Sequence, residues 1–161
     1  MLKKIAWLLL FALIVIQFFQ PKKNVAGAPS PNQIDAALSV PDDVKKVLQT
    51  SCYDCHSNNT AYPWYSRVQP VGWWLQHHVN EGKSELNFDE FGSYRLRRQY
   101  HKLEEIIEQV KKGEMPLSSY TLIHGDAKLS AAQQVMLTNW AAAQMDSMKA
   151  RYPIDSLIKK K

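Results

Sequence analysis

Residues 41–56 read PDDVKKVLQTSCYDCH, and the fold class follows from how this stretch is parsed. Pro41 suits a first helical position, and Asp42 and Asp43 complement the positive end of a helix dipole. Val44, Val47, Leu48 and Ser51/Cys52 then share one face at spacings of three and four, which predicts a helix running up to the cysteines. Downstream the same period returns. A short amphipathic segment spans Val71 to about Gly82. Tyr94–Lys112 carries Leu96, Tyr100, Leu103, Ile107 and Val110 on one stripe, with Lys111 and Lys112 in the last turn and Gly113 as stop signal. Ser130-Ala131-Ala132-Gln133 is a capping box opening a helix to about Met148. Residues 58–70 are irregular, broken by Asn58, Asn59, Pro63 and Pro70. Segments of strand type are few, so the chain reads as an all-α domain of four or five helices.

Both cysteines of the 161-residue chain lie in Cys52-Tyr53-Asp54-Cys55-His56. In an exported protein this Cys-x-x-Cys-His run is the signature of covalent haem attachment. Thiols on adjacent turns each reach one vinyl-derived carbon, and the imidazole of His56 lands under the iron as proximal ligand. Haem would then be part of the core, its burial contributing about 25 cal/mol per Å² removed from water. Three other readings compete. A Cys52–Cys55 disulfide closes so short a loop that it stabilises little. A thioredoxin-type pair normally opens a helix after a strand, whereas helix precedes Cys52. A zinc site would need two histidines from His56, His77, His78, His101 and His124, with no second Cys-x-x-Cys to complete it.

For the sixth iron position the sequence offers Met115, in the loop Lys112-Gly113-Glu114-Met115-Pro116-Leu117. One of the four other histidines and an open iron are the alternatives. Met136, Met145 and Met148 sit at helical spacing and read as core fillers. His/Met ligation favours reversible one-electron transfer, and an open iron favours gas or peroxide chemistry. Tyr62, Trp64, Tyr65, Trp73 and Trp74 cluster after the motif, so Trp64, Trp73 and Pro70 are candidate pocket residues. A backbone carbonyl near Pro63 or Pro70 is the expected acceptor for the His56 Nδ1 proton. Arg95, Arg97 and Arg98 oppose the dipole at a helix start, which points to an anion or to pairing with Asp89 or Glu90.

The ends of the chain carry its charge. Net charge is +5, yet residues 29–158 hold 13 basic against 15 acidic side chains, because Lys3, Lys4, Lys22 and Lys23 precede them and Lys159–Lys161 follow. A slightly acidic body argues against nucleic-acid binding. Lys3-Lys4 followed by apolar residues from Ile5 to Ile16 has the layout of an export signal. As a helix, Ile5–Phe19 would measure about 22 Å, somewhat short of a hydrocarbon core of about 30 Å. Retention as an anchor competes with cleavage at Ala26-Gly27-Ala28. The expected organisation is a signal or anchor over 1–20, a linker over 21–39, a haem domain over 40–148 and a basic tail over 149–161.

With these residues in place, the chain resembles the family of small, exported, single-haem c-type haem-binding domains from about Val40 to Ala143. The likeness rests on Ser51–Asn58, Tyr62-Pro63-Trp64-Tyr65-Ser66, Pro70-Val71-Gly72-Trp73, His78-Val79-Asn80-Glu81-Gly82, Leu86-Asn87-Phe88, Gly113-Glu114-Met115-Pro116, then Tyr120, His124, Leu129-Ser130 and Trp140. The resemblance implies one covalent haem c on Cys52 and Cys55, His56 as axial ligand and a cytochrome-c-like helical bundle; Met115 as distal ligand follows from likeness to the Met-Pro loop of monohaem cytochromes c. The expected role is non-enzymatic: a periplasmic one-electron carrier between redox partner proteins, touching the inner membrane through its N-terminal segment only. A gas or peroxide sensor, a small peroxidase, or an interaction module with structural haem are the alternatives.

Overall fold

The computed structural model describes residues 1–159, and among them every regular element is helical. The α-helices are α1 (Leu2–Ile16), α2 (Ile34–Ala37), α3 (Asp42–Ser51), α4 (Tyr53–His56), α5 (Val71–Glu85), α6 (Leu96–Lys112), α7 (Ser118–Thr121), α8 (Ala131–Arg151) and α9 (Ile154–Leu157). Single 3-10 turns lie at Trp64–Arg67, Phe91–Ser93 and Gly125–Ala127. The four long helices foreseen in the body are present; the others are one-turn pieces too short for a periodic pattern to show.

Local chemistry accounts for the helix ends. Pro41 is the N-cap of α3 rather than its first helical residue: its ψ is 152°, and its carbonyl accepts the Lys45 N–H. The capping box of α8 closes both ways, Gln133 N donating to Ser130 Oγ and Ser130 N to Gln133 Oε1. Gly113 ends α6 at φ +70°, a conformation costly for side chains with a Cβ. The buried stripe of α6 is Tyr100, Leu103, Ile106 and Val110; Ile107 is displaced to the edge of the core.

α6 packs along α8, with α9 against both and α3 against α8. Leu48, Phe88, Phe91, Leu103, Leu137 and Ala141 are buried between them, each large side chain contributing about 1.5–3 kcal/mol on burial. Met148 is fully buried, and Met136 and Met145 pack beside the cluster as fillers. α4, α5 and the Trp64–Arg67 turn form a second wall. The site lies where the two walls meet.

Two segments expected to be loose are packed. In the 21–39 stretch, Ile34 and Leu38 are buried one turn apart, Ile34 N donates to the Phe88 carbonyl, and Trp140 Nε1 donates to the Ser39 carbonyl. Breakers mark that stretch in sequence, and its i, i+4 apolar pair is too short a signal to outweigh them. Likewise α8 continues to Arg151, and α9 turns Leu157 into the core against α6. Of the expected basic tail, Lys160 and Lys161 lie outside the described residues. Arg97 donates to the Asp155 carbonyl, and Arg98 donates to the Ser84 and Glu85 carbonyls at the end of α5. The expected partners Asp89 and Glu90 instead accept from Asn58 and Asn32.

No residue of α1 is buried against the rest of the protein. Among the described residues no helix is long and apolar enough to cross a membrane.

Candidate functional site

Cys52 is the hinge between α3 and α4. Its carbonyl accepts the N–H groups of Cys55 and His56 at 3.2 and 3.0 Å, so the motif closes as one helical turn and gathers both sulfurs and the imidazole. Two packing contacts hold that turn. Tyr53 stacks on Phe88 with centroids 5.2 Å apart, and Gly82 of α5 lies so close that a Cβ there would come within 3.0 Å of the Cys55 carbonyl oxygen. Asp54 ties the turn to the following loop and to α7, accepting from Ala61 N at 3.0 Å and from Tyr120 Oη at 2.7 Å.

His56 Nδ1 lies 3.0 Å from the Leu86 carbonyl. A carbonyl can only accept, so Nδ1 carries the proton and Nε2 keeps its lone pair. This bond takes the place expected for a carbonyl near Pro63 or Pro70. Leu86 is better placed because the chain leaves α5 there and pairs with the motif, Phe88 N donating to the His56 carbonyl at 2.8 Å. Burial pushes the His56 pKa below its ordinary value, against the opposing effect of the Leu86 bond.

Both cysteines are free, and burial pushes their thiols up to about 12 for Cys52 and about 11 for Cys55. That shift is opposite in direction to the one that activates thiols for disulfide exchange. Among the described residues no three His, Cys, Asp or Glu side chains are placed to hold a metal ion together.

A cleft with two lobes opens over the motif. One lobe, about 310 Å³, meets the core side chains Leu48, Leu86, Phe88, Ile106, Val110 and Leu137, together with Cys52, His56 and Met115. The other, about 260 Å³, is lined by Cys52, Cys55, His56, His78, Met115 and Tyr120 among others. Ser51, Cys52, His56, Glu85, Met115 and Pro116 border both, so the lobes are two parts of one cleft. Met115 reaches it through the left-handed turn at Gly113, after which Glu114 and Met115 both donate to the Gln109 carbonyl. A mostly apolar slot with two neutral thiols, one imidazole with a free Nε2 and a thioether fits a flat, iron-bearing macrocycle.

Trp64, Trp73 and Pro70 line neither lobe. Trp64 is 79% exposed, Pro70 is exposed, and Trp73 donates its Nε1 proton to the Phe19 carbonyl. The 3-10 turn and the start of α5 instead meet the motif through Tyr65, Val71 and Trp74, which line a small separate pocket with Asp54 and Cys55. Of the remaining histidines only His78 borders the cleft; His77 and His101 are exposed beside glutamates, and His124 Nε2 pairs with Tyr65 Oη at 2.6 Å.

Sequence reasoning missed Lys102. Its nearly buried ammonium sits at the cleft wall, 2.6 Å from Glu105 Oε2 and 3.2 Å from Glu85 Oε2. The signal was a lysine beside Leu103 on the buried stripe of α6. Leu86 and Phe88 were missed as site residues because a backbone acceptor and a stacking partner leave no spacing to detect.

No curated protein and no solved structure matches this chain. The model of one family, described as the haem-binding domain, matches residues 11–143, from within α1 to within α8. With that match over most of its length, and with this cleft at its centre, the chain belongs to the haem-binding domain family.

Proposed function

We propose that the domain carries one haem c, joined through Cys52 and Cys55, held by His56 and Met115, and used for one-electron transfer between protein partners in the periplasm. The observation that carries this reading is the convergence of Cys52, Cys55, His56 and Met115 on one apolar cleft. When bound, the haem supplies a reversible Fe(III)/Fe(II) couple. The chain's own residues do the rest: Leu86 orients the His56 ring, Gly113 presents the Met115 thioether, and Leu48, Phe88, Ile106 and Leu137 exclude water. A dry, preformed site favours electron transfer because little has to reorganise when the charge changes.

We also read α1, although as a helix of 15 residues it is too short to cross a membrane by itself, as a retained segment lodged in the inner membrane that anchors the domain. Cleavage after Ala28 would remove residues that are built into the domain. Gln17 Nε2 donates to the Gln69 carbonyl and Gln69 N returns a bond to Gln17 Oε1, while Asn24 donates to Tyr62, Ser57 and Thr60. The span is short, so Trp7, Phe18 and Phe19 would sit at the interfaces.

Absorption spectra of protein matured with c-type haem machinery test the haem reading. Low-spin iron, a weak far-red band lost in Met115→Ala, and haem that stays with the chain on denaturation are expected. Haem extractable from the wild type, or high-spin iron that takes up carbon monoxide at once, would overturn covalent attachment or the carrier role respectively. Intact mass of the membrane fraction tests retention: a chain beginning at Pro29 would refute it.

A further inference from the structure

All 15 acidic residues lie in 35–54 and 81–155, and none lies in 1–34 or 55–80. The two acid-free stretches are joined in space. Besides the reciprocal Gln17–Gln69 pair, Gln69 Nε2 donates to Gln20 Oε1, Gln20 Nε2 to the Arg67 carbonyl, and Trp73 Nε1 to the Phe19 carbonyl at 2.7 Å. Gln69 is fully buried by this arrangement, so the C-terminal end of α1 is fastened to the Trp64–Arg67 turn and the start of α5 without a flexible joint.

Around that junction the surface is apolar and basic. Trp64 and Trp74 are 79% and 50% exposed, and Val68, Val71, Phe18 and Phe19 are exposed with them. Lys22, Lys23 and Arg67 are exposed in the same two stretches, and Lys23 and Arg67 border one shallow depression beside Tyr62. Exposed tryptophans, basic side chains in the same two acid-free stretches and an apolar helix with no buried residue match the chemistry of a bilayer interface.

We propose that the face carrying Trp64, Val68, Val71 and Trp74 docks on the anionic surface of the bilayer that holds α1, fixing the orientation of the haem domain on the membrane. This rests on reading α1 as the anchor. The domain would then be seated on the lipid, with the Gln17–Gln69 and Gln20–Gln69 bonds as the clamp.

The test is radiolytic footprinting of the full-length holoprotein in nanodiscs of phosphatidylcholine with and without phosphatidylglycerol. Normalised for the intrinsic reactivity of each residue type, Trp64, Val68 and Trp74 should label several-fold more slowly than exposed Val135 on α8, more so with phosphatidylglycerol. In Trp64→Ser/Trp74→Ser, whose changes are at exposed positions, the protection at Val68 should fall while the chain stays in the disc. If Trp64, Val68 and Trp74 label as fast as Val135 in a chain that stays with the disc, docking is refuted and the anchor stands. A chain that leaves the discs refutes the anchor and docking together. Protection that arises only on adding a soluble protein extract assigns the face to a protein and overturns the proposal.

Discussion

The Nδ1 of His56 donates to the carbonyl of Leu86 at 3.0 Å, so the loop that closes α5 sets the tautomer of a histidine thirty positions earlier. The bond also fixes the ring plane. Its consequence for stability follows from burial, which disfavours the protonated ring in the fold. Because the folded pKa lies below the ordinary value of 6.5, the unfolded chain binds more protons as pH falls through that value. Haem-free protein should therefore keep its full stability above pH 6.5 and lose it progressively on acidification. Urea midpoints measured between pH 8 and pH 5 should show this slope, and it should flatten in His56→Gln; an unchanged slope in the variant would assign it to other groups.

Gly82 is the point where α5 touches the motif. A side chain there must displace the Cys55 backbone, since a Cβ already comes within 3.0 Å of its carbonyl oxygen and 3.1 Å of its Cβ. Gly82→Val should cost about 1–3 kcal/mol by overpacking and lower the fraction of chains carrying haem. Urea denaturation and the haem-to-protein ratio measure the two effects separately.

At Gly113 the left-handed φ of +70° turns the chain from α6 toward the cleft. Gly113→Val should cost about 1–2 kcal/mol and shift the Met115 loop, because an L-residue with a branched Cβ resists that conformation. Asn tolerates it better, so Gly113→Asn should recover most of the stability. Carbon monoxide binding by the reduced protein should rise in the valine variant and stay near wild type in the asparagine variant.

Lys102 and its partners should respond unequally. Glu105→Ala removes the nearer carboxylate and leaves an ammonium with a nearly buried side chain, with only the largely exposed Glu85 for a partner. Lys102→Met replaces that ammonium by an apolar group of similar length and leaves two carboxylates that water can reach. Glu105→Ala should cost about 1–3 kcal/mol and Lys102→Met about 1 kcal/mol or less, because stranding a buried charge is worse than removing it. Thermal melts of the two variants give the ranking, and the reverse order would show that the ion pair itself stabilises.

Much of this was legible in local pattern. The three-and-four spacing of Tyr100, Leu103 and Val110, the Ser130/Gln133 box and the stop at Gly113 are interactions within a few residues, so the chain announces them without reference to anything distant. The same holds for Cys52, Cys55 and His56, whose chemistry depends on one helical turn. Met115 was suggested by its loop, and the cleft it borders required α6 to pack on α8.

What folding alone decided are the contacts between residues far apart in the chain. Leu86 rather than a carbonyl near Pro63 or Pro70 meets His56, since only packing determines which backbone passes the ring. Trp64 and Trp73 turn from the cleft because the start of α5 is bound to Gln17, Phe19 and Gln20, and composition cannot tell a buried aromatic cluster from one facing outward. The 21–39 stretch likewise looked like a spacer, with its prolines and glycine. Its hydrogen bonds to Ser57 and Phe88 join it to the domain, and such long-range bonds leave no period in the sequence.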